Sequence, residues 1–271
     1  MTETFVALLF AHVLADFILQ TDRMVATKQR PLTLALHFAT VYAMLVVATG
    51  SLHLALLALA LVHIGIDVVK LALATALKGR HGLGLFLGDQ ALHLASLATL
   101  ALWLPGLWEG GLWAPGAIVT GADGGILGTG LWTEATALPV THLPALMALA
   151  TGVILATRAG GFAVGLLMQP FAERLPPEVT AESLPGAGRV IGLLERGLIF
   201  VLVLLGQPEG VGLLMAAKSI LRFGAVKDDR ALSEYVIIGT LASFGWALVV
   251  AYGTLAALAL LPPLGIPSVS P

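Results

Sequence analysis

Histidine and aspartate recur together inside apolar stretches of the first hundred residues. Three stretches carry the two residues four positions apart, as AHVLADF, VHIGIDV and GDQALHL. Four residues is about one helical turn, so both side chains of each pair lie on one face of a helix. The ionisable residues of these stretches, with one further histidine, are His12, Asp16, His37, His63, Asp67, Asp89 and His93. Imidazole and carboxylate ligands suit zinc, manganese or iron, so the sequence predicts a divalent metal centre.

The helices that carry these residues must cross a membrane. The chain is 58% hydrophobic and only 11% charged, whereas a soluble domain is about one-quarter charged. Spanning helices need about 20 mostly apolar residues, and such runs lie near 3–20, 31–50, 53–76, 83–105, 143–170, 188–206, 210–223 and 233–260. We therefore predict an all-α, polytopic integral membrane helix bundle of about eight transmembrane helices. A net charge of -2 provides no basic patch for nucleic acid, and without cysteine any metal must use histidine and carboxylate ligands.

A loop rich in glycine, proline and tryptophan, 106–142, divides the predicted bundle into two four-helix halves, 1–105 and 143–271. Its residues Trp108, Trp113 and Trp132 are predicted to lie at the membrane interface. Lysine and arginine concentrate in alternate junctions, which predicts that those junctions are cytoplasmic and that both termini and the 106–142 loop are not. In this orientation each aspartate of a pair lies on the cytoplasmic side of its histidine.

The second half carries a different set of charges. Glu195 and Arg196 lie in its second predicted helix, Lys218 in its third, and Glu234 at the start of its last. Buried charges are usually paired, so we predict structural ion pairs of Glu195 with Lys218 and of Arg196 with Glu234. Binding of an anionic headgroup or substrate is the alternative for these residues.

Several segments resemble a known family. HVLADFILQTD, HIGIDVVK and GDQALHL are similar to the bacterial membrane family catalogued as domain of unknown function 3307, and GRVIGLLERGLIFVLVLLG, AAKSILRFG and EYVIIGTLASF resemble the C-terminal half that accompanies it. The resemblance implies a multi-pass protein of the bacterial inner membrane. The HxxxD segments also resemble those of membrane-bound metal-dependent hydrolases, a likeness that implies His12, Asp16, His63 and Asp67 as ligands.

The leading hypothesis is an intramembrane metal-dependent hydrolase. His12, His63 and His93 would bind the ion with Asp16 or Asp67. A remaining carboxylate, Asp89, would act as general base, and His37 would hold or relay a proton. The depth of the cluster favours an ester, amide or phosphoester bond near the headgroups, in a lipid-like substrate.

Three alternatives use the same residues. The first half consists of two consecutive hairpins that each open with HxxxD, and such duplication is typical of transporters, so a proton or divalent-cation transporter or channel is the main rival. A purely structural polar network is the second. A non-catalytic membrane assembly factor is the third.

Overall fold

The computed structural model of the chain describes residues 1–77, 82–113, 118–120, 126–129, 142–175, 184, 186–226 and 230–263. These residues fall into two compact units. The first contains Met1–Thr151 and a short C-terminal piece that begins at Ala257, and the second contains Gly152–Ala256. Trp132, predicted at the membrane interface, lies outside the described residues.

The helices of the first unit begin and end where local sequence requires. They are α1 (Thr2–Leu14), extended by a π-helical turn (Ala15–Leu19), α2 (Asp22–Ala26), α3 (Pro31–Thr49), α4 (Leu54–Ala76) and α5 (Gly82–Trp103). Thr21 caps α2 by accepting a hydrogen bond from the Met24 amide at 3.3 Å. Pro31 opens α3, since it needs no amide hydrogen there, and Gly50 ends α3 with a left-handed φ of 64°.

The four long helices of the first unit form a ring. Helix α1 packs against α3 and α5, and α4 also packs against both. One end of the ring is filled by apolar side chains that include Leu8, Leu45, Leu56 and Leu97. The predicted histidines and aspartates of the same helices lie towards the other end, so each helix has one apolar and one polar half.

The segment after α5 folds back onto the apolar end of this ring. The Thr4 hydroxyl donates to the Pro105 carbonyl at 2.8 Å and accepts from the Trp108 amide at 3.1 Å. Trp108 is 5% exposed and packs in the core, so its side chain contacts protein rather than lipid, and its depth in the membrane stays a prediction. Trp113 donates its indole N–H to the Val47 carbonyl at 2.6 Å. Two short strands, β1 (Ile118–Thr120) and β2 (Ile126–Thr129), pair antiparallel within the loop.

The second unit contains the remaining long helices. The chain passes into it within α6 (Leu143–Ile154), which is followed by a π-helical turn (Leu155–Ala159), α7 (Gly160–Ala172), α8 (Ala187–Leu204), α9 (Glu209–Val226) and α10 (Arg230–Leu258). Ile199, Phe200, Phe244 and Ala247 are at most 2% exposed and form its core.

Among the residues that the structure describes, six helical spans are long and apolar enough to cross a membrane. They are Thr2–Leu19, Pro31–Thr49, Leu54–Ala76, Gly82–Trp103, Leu143–Ala172 and Arg230–Leu258. Large apolar side chains such as Leu32 and Val69 are exposed on the outside of these helices, as lipid contact requires. The predicted helical membrane bundle is confirmed. The count of eight stays a prediction, because α8 and α9 are helical but are not among the six spans.

The exposed loop around α2 allows a test of orientation. We expect a cysteine introduced at Gln29 to be protected from an impermeant thiol reagent in intact cells, because the basic residues of this loop predict a cytoplasmic position. Glu109→Cys, in the loop after α5, should be labelled. The chain has no native cysteine, so each signal reports one position. Labelling of Gln29→Cys without permeabilisation would reverse the predicted orientation, in which both termini are non-cytoplasmic.

Candidate metal centre

The four helices of the ring bring all seven predicted histidines and aspartates together in the first unit. Helix α1 and its π-helical turn supply His12 and Asp16, α3 supplies His37, α4 supplies His63 and Asp67, and α5 supplies Asp89 and His93. The His63 ring is the centre of the group, with ring centroids 5.3 Å from His12, 5.2 Å from His37 and 4.2 Å from His93. The four histidines of the cluster are almost completely buried, at 0% to 4% exposure.

Three donor atoms form a compact triangle within this cluster. The Oδ1 atom of Asp16 lies 3.5 Å from His37 Nε2 and 3.3 Å from His63 Nε2, and the two nitrogens are 3.2 Å apart. A tetrahedral zinc ion with bonds of about 2.0–2.2 Å separates its ligand atoms by about 3.3–3.6 Å. The triangle therefore has the dimensions of one face of a tetrahedral metal site.

A second carboxylate lies beside the triangle. Asp67 Oδ2 is 3.2 Å from His37 Nε2 and 3.7 Å from His63 Nε2. Among the described residues, neither Asp67 Oδ2 nor Asp16 Oδ1 receives a hydrogen bond, although both atoms are buried. Buried carboxylate oxygens without a partner are strongly unfavourable, and a cation held by Asp16 and the two imidazoles, next to Asp67, lowers that cost.

Asp16 lies in a π-helical turn. A regular helix would place Asp16 one turn below His12 on the same face. The wider turn Ala15–Leu19 contains Asp16 and ends where Gln20 takes an extended conformation. Turns of this kind occur frequently at functional sites. Here the turn accompanies a carboxylate that faces three imidazoles from three different helices.

Two lysines and a glutamine hold the outer oxygens of the other two carboxylates. Lys28 Nζ lies 2.7 Å from Asp67 Oδ1, and Lys70 Nζ lies 2.7 Å from Asp89 Oδ2. The Gln90 amide nitrogen also donates to Asp89 Oδ2, at 3.1 Å. The two ammonium groups hold these oxygens and fix the orientation of the carboxylates.

His12 and His93 complete the inner side of the cluster. His12 Nδ1 is 3.8 Å from Asp16 Oδ2, while its Nε2 is 3.4 Å from the Gln90 side-chain oxygen. His93 Nε2 is 3.3 Å from the His63 carbonyl oxygen, and its Nδ1 is 3.7 Å from Asp89 Oδ1. The two rings stack with centroids 4.9 Å apart.

Three overlapping groups in the described part of the chain have ligand atoms within 4.8 Å of one another. They are His12, Asp16 and His93; Asp16, His37 and His63; and His63, Asp67 and His93. Each group combines histidine with one carboxylate, the donor set that zinc, manganese and iron accept.

For two residues the geometry favours roles other than those predicted from the sequence. His37 was expected to hold or relay a proton outside the ligand set, but its Nε2 belongs to the tightest triangle. Asp89 was expected to be the general base. Its Oδ2 is engaged by Lys70 and Gln90, and its Oδ1 faces His93 rather than that triangle.

Sequence reasoning gave no site role to Lys28, Lys70 and Gln90. Lys28 and Lys70 were interpreted only as markers of the cytoplasmic side. Gln90 is a polar residue next to Asp89 inside an apolar run, and that position alone was a usable signal, because an amide in such a run needs hydrogen-bond partners.

The charged residues of the second unit are paired only in part as expected. Lys218 Nζ contacts Glu195 Oε2 at 2.6 Å, as predicted, with both side chains largely buried. The predicted pair of Arg196 with Glu234 is wrong. Arg196 donates to the Ala156 and Thr157 carbonyls at 3.0 Å.

The reason is the second π-helical turn, Leu155–Ala159, which contains both of those carbonyls and offers the guanidinium fork a pair of acceptors. Arg196 also donates to the Ser243 hydroxyl at 3.1 Å. Glu234 instead accepts from Arg230 at 3.0 Å on the exposed surface of α10.

Comparison with known proteins yields one match. Residues 4–108 match the family described as Protein of unknown function (DUF3307). This range contains all seven residues of the cluster as well as Lys28, Lys70 and Gln90. No curated protein and no solved structure matches the chain significantly. The likeness of the C-terminal segments to the accompanying half, and that of the HxxxD segments to hydrolases, stay predictions.

Proposed function

We propose from the site alone that the first unit is an intramembrane metal-dependent hydrolase. Its residues 4–108 match the DUF3307 family, whose description assigns no function. The observation that carries the proposal is the triangle of Asp16 Oδ1, His37 Nε2 and His63 Nε2, with sides of 3.2–3.5 Å. Two histidines and one carboxylate are a ligand set of catalytic zinc sites, in which the fourth position is open to water or substrate.

Two residues beside the triangle, Asp67 and Lys28, supply the general base and its orientation. Asp67 Oδ2 lies beside the triangle, 3.2 Å from His37 Nε2, while Lys28 holds the opposite oxygen of the same carboxylate at 2.7 Å. A water molecule or substrate oxygen at the fourth position of a metal held by the triangle would therefore meet an oriented carboxylate. Asp67 is the general base that takes the proton of the attacking water.

A bound divalent ion would acidify a coordinated water and polarise the scissile bond. The exposed side of the cluster is lined by Lys28 and Lys70, which are 16% and 33% exposed, whereas the His93 side chain is 1% exposed. Substrate thus approaches past two ammonium groups, near the end of the spanning helices. A lipid-like substrate with an ester, amide or phosphoester bond at headgroup level fits this approach.

The first test is metal content. Full-length protein purified without chelator should carry a divalent transition metal, measured by mass spectrometry of the metal per chain. His37→Asn and His63→Asn should each lower the metal affinity at least tenfold. Loss of a group that only supports a metal ligand already costs about 10–100-fold. His53→Asn is the matched control, because His53 is an exposed helix cap that asparagine can replace.

Background metal in the wild type, both as purified and after loading with zinc or manganese, would contradict the proposal. Equal metal content in His37→Asn, His63→Asn and His53→Asn would contradict the ligand assignment. In that case the cluster acts as a proton relay or a structural polar network.

Divalent-cation transport is a second candidate, and the overlap of the three ligand groups favours it. Asp16, His63 and His93 each belong to two groups, so an ion moving between groups would keep some of its ligands. Metal flux into proteoliposomes without hydrolysis of any lipid would select this function over the hydrolase. Metal bound with neither flux nor turnover would indicate an assembly factor.

A further inference from the structure

We propose that the centre holds two metal ions bridged by Asp16, and that its substrate is an anionic phosphoester. The second ion is bound by His12 Nδ1, Asp16 Oδ2 and His93. This inference rests on the proposed function and adds to it a second ligand set and a substrate class.

The carboxylate of Asp16 faces two different groups of imidazoles. Its Oδ1 lies 3.3 Å and 3.5 Å from the Nε2 atoms of His63 and His37. Its Oδ2 is turned towards His12, 3.8 Å from Nδ1. Ligand atoms of His12, Asp16 and His93 lie within 4.8 Å of one another. A carboxylate with ligands on both sides is the bridging element of two-metal centres, whose ions lie about 3.5–4 Å apart.

The hydrogen bonds around His12 determine which of its nitrogens faces Asp16. Asp89 Oδ2, paired with the Lys70 ammonium, can only accept, so the Gln90 amide nitrogen is the atom that donates to it. The Gln90 oxygen therefore accepts from His12 Nε2, 3.4 Å away. In a neutral His12 ring, Nδ1 then presents a lone pair to Asp16 Oδ2, and a metal ion between the two atoms would remove their repulsion.

His93 is fixed in the same way. Its Nε2 is 3.3 Å from the His63 carbonyl oxygen, which can only accept, so Nε2 carries the hydrogen. Among the described residues, Nδ1 of His93 and Nδ1 of His12 are buried without a hydrogen-bond partner. Metal-binding histidines almost always donate their other N–H to a carbonyl, carboxylate or water, and both rings show the equivalent arrangement.

Charge selects the substrate class. Three carboxylates, Asp16, Asp67 and Asp89, and two ammonium groups, Lys28 and Lys70, give the cluster a net charge of -1 when the imidazoles are neutral. One divalent ion changes that charge to +1, and two change it to +3. Such an excess of positive charge inside a membrane protein is compensated by bound anions. A phosphoester supplies negative charge at the attacked group, and two-metal centres are common in enzymes that cleave this bond.

The test is a manganese titration of the chelator-treated, full-length protein in detergent, with inorganic phosphate as the anion. Wild type and the His53→Asn control should bind two ions per chain, and His12→Asn and His93→Asn one. Without phosphate the second ion should bind about tenfold more weakly, since coupling between ligands is reciprocal. The electron paramagnetic resonance spectrum of doubly loaded wild type should show two magnetically coupled manganese ions, a result that needs no variant to fold.

The outcomes separate this inference from the proposed function. If wild type and His12→Asn each bind one ion per chain, the second site is overturned, and the proposed hydrolase function is not affected. Two ions without magnetic coupling overturn the bridge by Asp16. A second ion whose affinity is indifferent to phosphate overturns the phosphoester. No bound ion at all overturns the proposed function itself.

Discussion

Asp67→Asn should lower the turnover of the substrate by about 10²–10⁴-fold while the metal of the triangle stays bound. Asparagine keeps the size of the side chain and an oxygen near Lys28, but it cannot take a proton from water. The triangle of Asp16, His37 and His63 does not include Asp67, so its three ligands remain. Turnover is measured on phospholipid vesicles that contain the purified protein, with lipid products detected by mass spectrometry, and metal content is measured on the same sample.

Two controls accompany this variant. Asp22→Asn makes the same chemical change in an exposed helix turn outside the cluster and should leave turnover and metal content unchanged. Lys28→Met removes the cation that orients Asp67, and turnover should fall less than in Asp67→Asn because the base remains. Loss of the metal in Asp67→Asn would make Asp67 a ligand instead of the base. Turnover close to that of the wild type would remove it from the mechanism.

The existence of the cluster was predictable because helical periodicity determines which residues share a face. A His–Asp spacing of four recurs in α1, α4 and α5, and intramembrane ionisable residues must find one another. The structure brings those six residues together with His37. The family match was equally accessible, since the three N-terminal segments that suggested it lie within the matched residues 4–108.

The roles within the cluster were not predictable from spacing. Depth along a helix gives the level of a side chain but not the side chains that it contacts, and the π-helical turn that contains Asp16 has no signal in the hydropathy. Lys28 comes from the loop around α2, so its contact with Asp67 depends on how that loop folds. The same limit explains Arg196, whose acceptors are backbone carbonyls of a second π-helical turn.

Glu195 and Lys218 give the second large expected effect, on stability. Their side chains are 12% and 16% exposed, and the ammonium of Lys218 also lies 5.5 Å from the centre of the Phe244 ring. Removing one member of a buried pair leaves the other charge uncompensated and costs about 3–5 kcal/mol. Glu195→Gln and Lys218→Met should each destabilise the protein by that amount.

The double variant should be more stable than the sum of the single changes predicts, because no unpaired charge remains. Reversible unfolding in mixed micelles, followed by tryptophan fluorescence, measures all three variants. The matched control is Glu234→Gln, which breaks the pair with Arg230. In that pair the Glu234 side chain is 60% exposed and the Arg230 side chain 93%. That change should cost at most about 1 kcal/mol. Additive single effects, or a cost for Glu195→Gln no larger than that for Glu234→Gln, would show that the buried pair does not stabilise the second unit.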